Sequence, residues 1–290
     1  MKHSISITLL LLCMFFFTQL IGLAVISIYQ SHTLPYGMQP PEIKSEISLL
    51  SVIISIFLAV LFVFLLMKIK ALWIIKIWFF SVVALALAIT LNSFFQKFLP
   101  YATIFSLAIG VFLSYLKIFK RGIFIHNLTE LLIYPGIAAI FVPMLGIFSV
   151  FILLIIISIY DIYAVWYAGF MQEMAKFQIK QLKFFAGFFV PYLKTKHIKE
   201  LKTRKGIGKK KIKVSLAILG GGDVIFPLLA AGVIFRNWGL FPSLLISVFS
   251  TLGLLYLFVQ ARKGKFYPAM PFITIGCFIG LFVAFLIHLF

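Results

Sequence analysis

The chain has 290 residues, 63% of them hydrophobic and only 11% charged, with a mean hydropathy of +1.15. That balance excludes a water-soluble domain wrapped in polar surface. A formal net charge of +19 could suit nucleic acid, but the cations crowd into a few segments between apolar runs, which is how membrane topology is written.

Spans of ~20 apolar residues number nine. The first covers about 4–29; it opens like a signal peptide but is too long and has no small-residue cleavage site, so it reads as a retained helix. The second covers 47–67, the third 71–95 with Lys76 snorkelling, and the fourth 98–119. The fifth covers 128–145 and the sixth 147–171, joined tightly at Pro143-Met144-Leu145-Gly146. The seventh covers 214–235, the eighth 240–260 and the ninth 268–290. The expected fold class is therefore an all-α polytopic membrane protein of the cell membrane. Cys13 and Cys277 both lie in apolar runs and read as packing residues, not as a disulfide or metal site.

Charge bias orients the nine spans. With the amino terminus inside, the inner segments carry Lys2, Lys68, Lys70, Lys117, Lys120, Arg121, the thirteen basic residues from Lys176 to Lys213, and Arg262, Lys263 and Lys265. The outer side has Lys44, Lys97 and Arg236. This places the amino terminus in the cytoplasm and the carboxyl terminus outside.

Against this background, two of the seven acids stand out. Asp161 lies within ILLIIISIYDIYAVW and Asp223 within LAILGGGDVIFPLLAAG, where an ionisable group costs roughly 2.5 to 3.5 kcal/mol on insertion scales. Read as helical, each lies ~15 Å from the inner end of its span, so two consecutive helices bring both carboxylates to one level. Gly220-Gly221-Gly222 precedes Asp223, where glycine allows close approach and easy unwinding, and Pro227 frees the Asp223 carbonyl from its helical bond. Pro268-Ala269-Met270-Pro271 opens the ninth span near the same level.

Tyr160-Asp161, Gly220-Gly221-Gly222-Asp223 and Pro268-Ala269-Met270, in that order on the sixth, seventh and ninth spans, resemble the Y-D, G-x-G-D and P-A-L motifs of the presenilin and signal peptide peptidase family of intramembrane aspartyl proteases. Met270 stands where that family has Leu, a near-isosteric change. The inner amino terminus looks like the presenilin orientation, and the short chain is similar to prokaryotic, archaeal members. The resemblance implies an aspartic endopeptidase acting within transmembrane helices or remnant signal peptides. It makes Asp161 and Asp223 the catalytic pair, with Tyr160, Gly220, Gly221, Gly222, Pro268, Ala269, Met270 and Pro271 shaping the site. No metal or cofactor is expected. Two close carboxylates would share a proton and activate water as general acid and base.

Three regions follow: residues 1–171 with the first aspartate, a basic cytoplasmic or interfacial loop over 172–213, and a three-helix part over 214–290. Lys183 to Tyr192 reads as an interfacial stretch and Lys209-Lys210-Lys211 as an anchor on anionic headgroups. Glu130 is expected at a helix start, where the dipole favours an acid. His126 and His197 read as loop residues, and none of these, nor His288, has metal-ligand spacing with another histidine. Asn127-Leu128-Thr129 fits a glycosylation pattern by chance on an inner segment. The competing function is a proton- or ion-coupled transporter or leak channel using the same aspartates; a prepilin-type peptidase fits the late PAMP helix less well.

Overall fold

In the computed structural model the described residues are 5–38, 50–51, 54–55, 58, 61–62, 65, 72–120, 122–167, 185–192, 215–261 and 267–289. They form eight α-helices: α1 (Ile5–Ser31), α2 (Leu72–Phe95), α3 (Ala102–Tyr115), α4 (Ile123–Phe141), α5 (Ile147–Trp166), α6 (Gly221–Trp238), α7 (Leu240–Gln260) and α8 (Met270–Leu289). A π-helical turn over Leu116–Lys120 continues α3, and a 3-10 turn over Val142–Met144 continues α4 at the Pro143 joint. Among the described residues, seven helices are long and apolar enough to cross a membrane. The protein is a multi-pass integral membrane protein. The expected second span, 47–67, falls mostly outside the described residues.

One expectation needs correcting. The seventh span does not begin as a helix at 214. Ser215–Gly220 is a strand, β2, paired antiparallel with β1 (Gly187–Tyr192) from Gly187↔Gly220 to Tyr192↔Ser215. The helix starts only at Gly221. A short apolar run such as SLAILG suits either state; here a partner strand and the glycines that end it decide for strand. Part of the stretch read as an interfacial loop is therefore structured, and among the described residues the regular structure is helical apart from this ladder.

The core lies where α1, α4, α5, α6, α7 and α8 meet, with Leu11, Phe15, Leu154, Val224, Leu228, Ile246 and Ile273 fully buried in one cluster. Phe148, Trp73 and Phe282 are among many large apolar side chains left exposed, as expected of a surface solvated by lipid tails. Burial alone gives little drive between helices there, so close contact must come from small residues. Gly253 abuts the Phe272 carbonyl, Gly276 the Phe249 carbonyl, and a Cβ on Gly280 would lie 2.9 Å from the Ile246 Cα. These three glycines let α7 and α8 touch backbone to backbone. Gly276→Val is expected to cost about 1–3 kcal/mol through overpacking, read as a lower melting temperature in detergent. Gly122→Ala, with its nearest neighbour at 3.6 Å, meets no overpacking and should lose only about 0.5–1 kcal/mol, from a poorer helix N-cap.

Candidate active site

Asp161 sits near the end of α5, 5% exposed, and its Oδ2 accepts the Met270 backbone N–H at 3.0 Å. The Ala269 amide also faces this carboxylate. Those donors are the unpaired N–H groups that every helix leaves at its start. Pro271 has no N–H and fits the first helical turn, so the PAMP segment presents its remaining amides to Asp161. The aspartate thus caps α8 from a different helix, a position the helix dipole favours. One turn away, Ser158 donates to Thr274 at 2.7 Å, tying α5 to α8 a second time.

Asp223 lies in the first turn of α6. Its carboxylate folds back on Gly220, where an added Cβ would lie 3.1 Å from Oδ2, and accepts the Gly220 N–H. That is half of a capping box, and glycine leaves it room without displacing the carboxylate. On the next residue, Gln19 of α1 donates its side-chain amide to the Val224 carbonyl at 3.1 Å. Asp161 and Asp223 are within electrostatic range of each other. The structure brings together the two aspartates, Gly220, Ala269 and Met270. Pro268 is buried, Gly221 and Pro271 are half-buried, and Gly222 is exposed. Tyr160 is 51% exposed against 5% for Asp161, and it lies on the outer side of α5.

A profile of the family described as signal-peptide peptidase, presenilin aspartyl protease matches residues 12–289. The chain belongs to that family. Among solved structures, it is similar to a presenilin family intramembrane aspartate protease in a C222 crystal form, with a TM-score of 0.64 at 18% identity, over 97% of this chain and 99% of that one. The same description in a P2 form gives a TM-score of 0.63 at 18% identity, over 96% of each chain. No curated protein matches. The chain is accordingly an intramembrane aspartyl protease with a presenilin-like fold.

This family member departs from the P-A-L motif only at Met270, which is 2% exposed and holds Asp161 through its backbone, not its side chain. Met270→Leu is therefore expected to keep cleavage within about threefold and to cost less than about 1.5 kcal/mol, measured as initial rate and melting temperature.

Beside the two aspartates the structure corrects the reading of α4. His126 is not a loop residue, and Glu130 is not merely near a helix end: both are buried within α4. Lys117, expected in an inner loop, is 1% exposed and donates to Glu130 at 2.5 Å and to His126 Nδ1 at 3.3 Å. His126 Nε2 donates to the Gly187 carbonyl at 2.8 Å, and Tyr134 donates to Glu130. Asn127 holds the Phe189 backbone at both ends, donating to its carbonyl at 2.9 Å and accepting its N–H at 3.2 Å. The available sequence signal is the i, i+4 run His126, Glu130, Tyr134 on one helix face; a cation from a neighbouring helix cannot be read from it. His197 lies outside the described residues, and His288 is in the last turn of α8.

Proposed function

We propose that Asp161 and Asp223 are the catalytic pair of a protease that hydrolyses peptide bonds within transmembrane helices or remnant signal peptides. The observation that carries this reading is their proximity: two carboxylates from separate helices, one accepting an amide at the start of α8 and the other in the first turn of α6, lie within electrostatic range in the low-dielectric interior. The ionised member takes a proton from water as the oxygen attacks the scissile carbonyl, and the protonated member gives its proton to the carbonyl oxygen. The resulting diol collapses as a proton passes to the nitrogen. The C–N bond then breaks, leaving a carboxyl and an amine end.

A helical substrate hides its peptide bonds and must present them extended, with its backbone paired elsewhere. The hairpin supplies one usable edge for strand addition. The outer edge of β1 is occupied: Gly187 is bonded by His126, Phe189 by Asn127, and Pro191 has no N–H to offer. In the same register the backbone N–H and C=O of Leu216 and Ile218 in β2 face outward, the Gly220 N–H being already held by Asp223, and β2 leads straight into that aspartate. A substrate strand on β2 therefore approaches the dyad. Single N-methylation of substrate amides on the side that meets β2 should lower cleavage about tenfold, with methylation of the alternate amides much milder. Equal effects at every position would rule out strand addition.

The wider architecture follows the same reading. Nine spans carry the amino terminus inside and the carboxyl terminus outside. Residues 1–171 and 214–290 each bring one aspartate, and the basic 172–213 segment anchors on anionic headgroups. The test of function is cleavage of a single-span substrate by purified protein in lipid, with the products mapped by mass spectrometry. Aspartate-dependent proton or ion flux without any cleavage would favour a transporter instead.

A further inference from the structure

The buried cluster centred on α4 lies outside the dyad, yet two of its members, His126 and Tyr134, reach the strand ends beside Asp223. Lys117 and Glu130 are an ion pair at 0% and 2% side-chain exposure. Hydrogen-bonding logic fixes the histidine between them and the hairpin. Gly187 contributes only a carbonyl, so Nε2 carries the proton; Nδ1 then accepts from Lys117. Tyr134, held by Glu130, stands where a Cβ on Gly221 would meet its hydroxyl oxygen at 2.7 Å, and its ring packs edge-on against Phe188 at 6.0 Å. The two ends of the cluster thus grip the base of the hairpin from both strands. His126 takes Gly187 at the start of β1, and Tyr134 backs Gly221 just after β2. Between them Gly187 pairs with Gly220, and the Gly221 N–H donates to the Ala186 carbonyl at 3.2 Å.

We infer that Lys117, His126, Glu130 and Tyr134 form a positioning cluster that fixes the base of the hairpin, and through it the Asp223 carboxylate, relative to Asp161. This rests on the reading of Asp161 and Asp223 as the catalytic pair. A buried ion pair is a poor source of stability, because desolvation offsets much of its attraction, but it is directional, and here it holds the His126 and Tyr134 side chains that reach the two strand ends. Each bond in the cluster is made to backbone or to another member, so the lock works without touching substrate.

The experiment uses full-length protein in lipid with a single-span substrate, and compares wild type with His126→Ala, His126→Gln, Tyr134→Phe and Asp223→Asn. His126→Ala removes the Gly187 donor, while His126→Gln supplies an amide near the same place. Tyr134→Phe keeps the ring on Phe188 and Gly221 and removes only the hydroxyl. The expected result is a fall in kcat of about ten- to a hundredfold for His126→Ala, a smaller fall for Tyr134→Phe, KM within about twofold, and partial recovery in His126→Gln. Amide exchange over 187–192 and 215–220 should speed up in His126→Ala while α7 and α8 keep their protection. Wild-type kcat in both folded variants, or a lost kcat with unchanged hairpin exchange, overturns the inference. If His126→Ala fails to fold, the same two readouts on Tyr134→Phe decide it. Cleavage that survives in Asp223→Asn overturns the dyad reading itself, and the cluster proposal with it; loss in Asp223→Asn alone leaves the dyad standing and removes only the cluster.

Discussion

Asp161→Asn and Asp223→Asn are each expected to reduce cleavage by at least about 10²–10⁴-fold, the range of a lost general acid or base, with the fold retained. Retention follows from geometry. The Asn carbonyl oxygen at 161 still accepts the Met270 N–H that Asp161 accepts at 3.0 Å, so the cap on α8 survives. At 223 the amide oxygen can still accept from Gly220. What each change removes is a group that can be both ionised and protonated, and a dyad needs that from both members. The two variants should therefore be inactive to a similar degree, and the double variant little worse, since groups that act as a unit do not add. The measurement is single-turnover cleavage in lipid beside the melting temperature of each variant. A folded single variant with turnover near wild type would remove that aspartate from the mechanism.

How much of this can be read from the sequence varies by element. Helices α1, α2, α5, α7 and α8 fall close to their expected spans, because an unbroken apolar stretch in lipid has few alternatives to helix. The matched level of the two aspartates rests, in the sequence, on counting a helical rise from Lys213 to Asp223. That premise fails, since Ser215–Gly220 is a strand, yet the two groups still come within electrostatic range. Their proximity depends on the end of α5 and the start of α6 lying at the same end of the bundle and on the glycines that let the chain change state there. The PAMP segment lies beside Asp161, but its means of contact, backbone amides on the carboxylate, has no side-chain signature. The hairpin escapes a sequence reading because GFFVPY and SLAILG are short apolar runs that suit either state. Their pairing, from Tyr192↔Ser215 to Gly187↔Gly220, joins segments well separated along the chain, and only tertiary contact sets it. Lys117 escapes as a core residue for a related reason: a lysine at a helix end reads as solvated until its buried partner, Glu130, is known.

Gly187→Ala is the substitution expected to damage activity most among residues that touch neither substrate nor water. Gly187 has φ +141°, a conformation L side chains rarely adopt, and an added Cβ would run into the Leu219 carbonyl. The neighbouring strand cannot move aside, because Leu219 is buried and Gly220 is pinned by Asp223. The strain must then open the closing pair Gly187↔Gly220 and shift the start of α6. A displacement of about 1 Å at a reacting group can cost about 10²-fold, so kcat should fall by about that factor while the helical core stays folded. Gly37→Ala separates this from backbone strain in general. Gly37 also has positive φ, +70°, but nothing lies within 4 Å of its added Cβ. That variant should lose about 1–2 kcal/mol of stability and keep its turnover. If Gly187→Ala matched Gly37→Ala in keeping wild-type kcat, the hairpin would not be what sets the place of Asp223.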